Sequence, residues 1–436
     1  MLAEYYKLLK EYLWFKSVST NNNFIQEIKN CSIRLKELFE QNNFQVEIIN
    51  EYWNPILIAS YFVDNNLENW LIYGHYDVQN ADQKEWRKED PFNLYIWKDK
   101  IIWRWVVDNK WQTLIHIISI IKLIKENKLW YNITFILEWE EEIGSSWLIK
   151  FIEENKQRFK TDFILLSDWN IIKDIAIIES WFRWGFNAKL EIKTANTNLH
   201  TWIYGGVVLN PIEEMTKLFS KLYDANNQIT IPYFYYEVEE ISVNQKILNA
   251  KTPFNQESFT KNLWISQTKL KNIDFYTQSW RKPCIEITSI RSWNIDFFEN
   301  SIPNLAVANL NFRLVNNQKY ESIVSLFKEW VKNNLSKNIK YELSFDQHNK
   351  AVKIDLQNKF IDKAERILTD IYKNKVYYLR SWWSIPVIDT FQTYISKNIL
   401  SIPLWNEDSN MHWVNENFDI NLIEKWLNFS YNFFKK

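Results

Sequence analysis

The sequence predicts an α/β fold in which a mixed central sheet flanked by helices carries an inserted α+β unit. Three observations support this. Short apolar runs that end in polar clusters alternate with long helical patterns in the first part of the chain. Near Arg183 the pattern changes to strands that alternate residue by residue, and at Phe360–Tyr372 a helical pattern resumes. Buried strands joined by helical crossovers make a sheet covered on both faces, with sites expected at the strands' C-terminal ends.

Taken in order, Met1 to Thr20 sets Glu4, Lys7, Lys10 and Glu11 among apolar residues, which reads as an amphipathic helix and not a signal peptide. Trp70–Tyr73, Tyr131–Leu137 and Phe163–Leu166 read as buried strands, with a helix over Ile115–Lys125 between the first two. Phe186–Ile192 and Leu305–Leu314 alternate as antiparallel strands do, and amphipathic helices follow them at Pro211–Tyr223 and Tyr320–Leu335. Phe360–Tyr372 returns the chain to the first sheet. The expected units are therefore 1–182 with 351–436, and an insert at 183–350. No internal repeat or low-complexity linker interrupts them.

Composition narrows the function. Lys+Arg 52 against Asp+Glu 53 gives a net charge of −1, which argues against nucleic acid or a polybasic membrane surface as a partner. No apolar run approaches the roughly 20 residues of a membrane span. Cys31 and Cys284 provide no disulfide framework and fit a reducing, cytoplasmic setting.

One count is abnormal: the chain has 24 Trp and 5 Gly. Ordinary usage of about 7% Gly would give roughly 30 in a chain this long, close to the two counts combined. Richness in Asn, Lys and Ile suggests an AT-rich genome. The expectation is that UGA encodes glycine in that genome and has been translated as tryptophan, so that many Trp positions are Gly in the native protein.

The chemistry gathers at strand ends. Gly74-His75-Tyr76-Asp77 follows the first buried strand, and His75 and Asp77 project to the same face of an extended chain. A histidine ligand needs a partner to fix its ring, commonly a carboxylate. Asp108-Asn109-Lys110 comes next. Glu138-Trp139-Glu140-Glu141-Glu142-Ile143-Gly144-Ser145 follows a strand, and its adjacent carboxylates repel one another unless cations or solvent separate them. Leu166-Ser167-Asp168 ends another strand, and His412 lies in a loop near the C-terminus. Singly, such residues are most often turns or solvated faces. As a set, two histidines and three carboxylates suit a pair of borderline cations bridged by one carboxylate.

These segments resemble the M20 metallopeptidases, and most of all their carnosinase-type dipeptidases. The likeness rests on Tyr73-Gly74-His75-Tyr76-Asp77-Val78-Gln79, Asp108-Asn109-Lys110, Glu141-Glu142-Ile143-Gly144-Ser145, Ser167-Asp168 and Met411-His412, in order and at suitable spacing. It continues through Leu199-His200, Tyr204-Gly205-Gly206, Asn210-Pro211, Ile302-Pro303, Phe312-Arg313-Leu314-Val315 and Arg380 with Ser384-Ile385-Pro386. Where the family pattern has Gly, this chain has Trp103, Trp105, Trp111, Trp139, Trp202, Trp382, Trp383 and Trp413, whereas Trp86 matches a family tryptophan. An indole at Trp111, beside Asp108, is expected to crowd the cation site.

The resemblance implies a zinc-peptidase catalytic domain with an inserted lid and dimerisation domain. It implies two divalent ions, zinc first, with manganese or cobalt as alternatives. His75 and Asp168 would hold one, Glu142 and His412 the other, and Asp108 would bridge. Asp77 would orient His75 and Glu141 would act as general base, although spacing alone allows Glu141 and Glu142 to exchange roles. His200 would stabilise the oxyanion, from the opposite subunit of a homodimer. Arg313 would hold a peptide carboxylate, and Asn300, Arg380 and Ser384 would complete substrate binding. The implied reaction is hydrolysis of dipeptides or small peptides with a free C-terminal carboxylate. The alternatives are an N-acyl amino acid deacylase, or an inactive binding protein if the tryptophans are real.

Overall fold

The computed structural model describes residues 1–80, 95–103, 107–168, 175–243, 254, 256–262, 265–269, 274–292, 300–315, 317–346, 352–381, 387–404, 406, 408–411 and 414–436. The chain divides into two compact units. One comprises Met1–Trp181, Val352–Ser381 and Ile385–Lys436, and the other is centred on Phe182–Ala351.

Among the described residues, the first unit is built on a nine-stranded mixed sheet. In spatial order its strands are Gln45–Ile49, Ile56–Tyr61, Asn132–Glu138, Asn69–His75, Phe163–Leu166, Ile399–Ser401, Ile177–Phe182 and Val352–Lys353, with Tyr377–Ser381 also paired to Ile177–Phe182. The central strands Asn132–Glu138, Asn69–His75, Phe163–Leu166 and Ile399–Ser401 run parallel, and the outer pairs that include Gln45–Ile49 and Ile56–Tyr61 are antiparallel. In Asn69–His75 six consecutive residues are buried, as a strand covered on both faces requires.

The Lys110–Lys125 helix is buried almost all round, because Ile and Leu occupy nearly its whole circumference and not a single stripe. Its neighbour, the C-terminal helix Ile420–Phe434, buries Trp426, Leu427, Phe429, Ser430, Phe433 and Phe434. Beneath the sheet Trp70 packs on Phe163, Phe360, Phe433 and Phe434.

The second unit carries an antiparallel four-stranded sheet ordered Cys284–Arg291, Leu305–Leu314, Trp184–Lys193, Lys340–Phe345. Leu305–Leu314 alternates half-buried and buried at every residue, so one face packs into the core and the other is partly open. The helices Pro211–Phe219 and Tyr320–Asn334 supply Met215, Leu218, Phe327 and Val331 to that core. The first is shorter than the Pro211–Tyr223 expected, because the chain closes in tighter turns, Lys221 N–H to Leu218 C=O and Leu222 N–H to Phe219 C=O. Asn210 caps its start through the Ile212 N–H, and Pro211 follows at the first helical position. No helix among the described residues is long and apolar enough to cross a membrane.

Candidate metal centre

The site forms at the C-terminal ends of the parallel strands. The Asn69–His75 strand ends with His75 fully buried, and hydrogen-bond register pairs it with Glu138 at the end of the next strand. Asp108 stands two residues before the Lys110–Lys125 helix, and Asp168 two residues past the Phe163–Leu166 strand. Topology thus brings three segments, far apart in sequence, to one edge of the sheet.

His75 Nε2 lies 2.9 Å from Asp108 Oδ1 and 3.5 Å from Asp168 Oδ2, with Glu141 Oε2 at 4.0 Å. One ligand atom from each of His75, Asp108 and Asp168 falls within 4.8 Å of the others. Such a set of one imidazole and two carboxylates fits a divalent cation.

The electrostatics agree. Burial pushes the Asp168 carboxyl up, and Asp108 adds to the shift. Burial likewise raises Glu141 well above the ordinary carboxylate range, opposed by His75 and reinforced by Asp168 and Glu142. Burial disfavours the His75 imidazolium, but hydrogen bonds to Asp108, Asp168 and Asp77 outweigh it and raise its pKa. Without a cation the group must hold protons to offset its crowded negative charge, and a bound cation performs that task directly.

Asp77, fully buried, touches three partners. Its Oδ1 lies 3.3 Å from His75 Nδ1, and its two oxygens accept the backbone N–H groups of Glu141 and Glu142 at 3.1 and 3.2 Å. The backbone carbonyl of Asp77 also lies 3.2 Å from His75 Nδ1. The carboxylate therefore fixes the imidazole and the turn bearing both glutamates together. Glu142 Oε2 accepts from Gln79 Nε2 at 3.0 Å.

Two contacts were not legible in the sequence. Asn109 donates its side-chain amide to Asp168 Oδ1 at 2.8 Å and to the Ser167 carbonyl at 2.9 Å. Glu138 accepts from Tyr73 Oη at 2.6 Å and Ser145 Oγ at 2.9 Å, and burial raises its pKa to about 8. The only signal for Asn109 was its place between Asp108 and Lys110. Glu138 was indistinguishable from the rest of its acidic run.

His412 and Ser384 lie outside the described residues, as do Trp86, Trp105, Trp382, Trp383 and Trp413. Arg380 falls in the Tyr377–Ser381 strand. His200, Asn300 and Arg313 belong to the second unit. His200 is exposed and its Nδ1 accepts the Trp202 N–H at 3.2 Å. Its strand pairs with Ser301–Ile302, and the Asn300 carbonyl accepts the Thr201 N–H at 3.0 Å, so His200 and Asn300 are neighbours. Arg313 is partly buried, with Nε donating to Asn311 Oδ1 at 2.8 Å.

The tryptophans divide. Trp103, Trp111 and Trp139 are buried with indole N–H groups that have no hydrogen-bond partner among the described residues, but the same holds for Trp70 and Trp426. Trp111 packs on Phe418 with ring centroids 3.7 Å apart, closer than the roughly 4.5–7 Å usual for aromatic pairs. Trp53 has φ 60°, the left-handed region that favours glycine.

The first unit thus presents a mixed sheet with a candidate cation cluster at its strand ends, and the second an antiparallel sheet. Residues 187–338 match the peptidase dimerisation domain of the M20 family. The chain is 26% identical to a probable di- and tripeptidase, DUG2, of Saccharomyces cerevisiae, over 96% of this chain and 48% of that protein. It is 27% identical to the human Beta-Ala-His dipeptidase, over 85% of this chain and 74% of the other. Its fold matches the crystal structure of an M20 family metallo-carboxypeptidase, Sso-CP2, from Sulfolobus solfataricus, with a TM-score of 0.88 at 23% identity, covering 99% of this chain and 98% of that one. The chain spans about half the length of the yeast protein. In this domain match, in its relatives and in its fold the chain resembles the M20 metallopeptidases.

Proposed function

We propose that this protein hydrolyses the amide bond of dipeptides or small peptides that carry a free C-terminal carboxylate. The observation that carries the reading is the His75–Asp108–Asp168 cluster with Glu141 Oε2 4.0 Å from its imidazole. The names of the yeast and human relatives, a di- and tripeptidase and a Beta-Ala-His dipeptidase, support the substrate class.

In this reading His75 and Asp168 would hold one divalent cation, Glu142 and His412 would hold a second, and Asp108 would serve both. Zinc suits the mixed nitrogen and oxygen donors, and manganese or cobalt would serve in its place. When bound, the cations supply Lewis-acid polarisation of the scissile carbonyl and a lowered water pKa. The chain's own residues do the rest. Glu141 takes a proton from the attacking water and passes it to the leaving amine. Asp77 keeps the His75 ring and the Glu141 turn in register. In the second unit Arg313 offers a planar, two-donor partner for the substrate carboxylate. His200 stabilises the oxyanion across a homodimer, and Asn300, Arg380 and Ser384 complete the substrate contacts.

Chelation should abolish hydrolysis, and zinc, manganese or cobalt should restore it. Full activity in metal-free protein refutes the reading. A panel of dipeptides against N-acyl amino acids separates peptidase from deacylase, since both chemistries use the same cation ligands.

A further inference from the structure

The first unit buries a second histidine that the reaction does not use. His116 lies within the Lys110–Lys125 helix and is 1% exposed. Its Nε2 is 2.9 Å from Ser167 Oγ, and its Nδ1 is 3.0 Å from Ser430 Oγ on the Ile420–Phe434 helix. Burial drives its pKa down to about 3, so the ring is neutral, with one nitrogen donating and the other accepting. A serine hydroxyl on each side can satisfy either arrangement.

The contacts continue to the cation cluster. The Ser167 carbonyl accepts from Asn109 Nδ2, which also donates to Asp168 Oδ1. Thr113 Oγ1 donates to Asn109 Oδ1 at 2.7 Å, which orients the amide with its NH2 toward Asp168. Thr113 and His116 are three residues apart on one helix and so lie on neighbouring parts of its surface. A leucine would fill the space of His116 in a helix otherwise rich in Ile and Leu. The imidazole adds a polar tie from the C-terminal helix to the strand end that carries a proposed ligand.

We propose that His116 is a positioning residue for the cation site, a bridge between Ser430 and Ser167 that holds the Ser167–Asp168 strand end where Asn109 can fix the Asp168 carboxylate. This rests on the reading of His75, Asp108 and Asp168 as cation ligands. Partners one step behind a ligand typically change metal affinity by about 10–100-fold. The effect here is set at the lower end, because His116 acts through Ser167 and Asn109.

The test is a zinc titration of the full chain against a chromogenic chelator, with thermal unfolding of the zinc-free protein in parallel. His116→Leu should weaken zinc binding roughly tenfold. His116→Gln, which keeps a donor and an acceptor, should recover part of that loss. Ser430→Ala, which removes one oxygen far from the cluster, should weaken binding in the same direction. The double variant His116→Leu/Ser430→Ala should bind no worse than His116→Leu. Unchanged zinc affinity in His116→Leu, whatever its melting temperature, reduces the residue to packing and overturns the proposal. If His116→Leu does not fold, Ser430→Ala decides, and wild-type affinity there overturns it. A wild-type chain that takes up no zinc overturns the cation-site reading as well, so the two failures are distinct.

Discussion

Replacing Asp77 by alanine removes one acceptor from three groups at once. The two backbone N–H groups of Glu141 and Glu142, now held at 3.1 and 3.2 Å, would lose their carboxylate. An unsatisfied buried donor costs roughly 1–3 kcal/mol, so the pair sets a range of about 2–6 kcal/mol. Both glutamates are only partly buried, so water can reach the turn, and the lower half of that range is expected. Even about 2 kcal/mol is a substantial part of a total stability of roughly 5–15 kcal/mol. His75 keeps its second contact, the Asp77 carbonyl at 3.2 Å from Nδ1, which survives the substitution. Cation affinity should therefore fall nearer tenfold than a hundredfold. Asp77→Asn should be intermediate, because its amide oxygen can accept one N–H while its NH2 faces the other donor. Urea unfolding of the zinc-free protein and zinc titration measure the two effects separately. An Asp77→Ala protein with wild-type stability and wild-type zinc affinity would refute the claim that this carboxylate organises the site.

Three further outcomes are expected. Glu141→Gln should keep both cations yet lose several orders of magnitude in turnover, since an amide cannot take the proton; a fall in metal content instead would exchange the roles of Glu141 and Glu142. The zinc-free protein should lose stability as pH rises from about 4.5 to about 8, because Glu138 holds its proton in the fold to about 8 against an ordinary value of 4.5 and unfolding releases it across that window. The slope from this group approaches about 1.4 kcal/mol per pH unit, thermal melts across pH 5–8 read it, and a profile that Glu138→Gln fails to flatten counts against the assignment. Tandem mass spectrometry of the native protein should find Gly at positions 53, 111, 139 and the 382–383 pair, with Trp86 retained; native peptides carrying Trp at 111 and 382–383 would overturn the codon reading.

By itself the sequence determined the fold class, the candidate ligands His75, Asp108 and Asp168, and the insert's alternating strands. Those features follow from local physics: period-2 burial in Leu305–Leu314, unbroken apolar runs for strands covered on both faces, and charged residues stranded at the ends of such runs. Only the tertiary structure decided which polar groups meet. Asp77 appeared in the sequence as a partner for one imidazole, and the fold also aims two backbone N–H groups from a turn more than sixty residues later at it. His116 is one of several polar residues buried in a largely apolar helix, and nothing local distinguishes a filler from a bridge. Its meaning depends on Ser167 and Ser430, which are 51 and 314 residues away. Hydrogen bonds reach about 3 Å, so their partners are fixed by how strands and helices stack, and that distance is set by the whole core and not by sequence spacing.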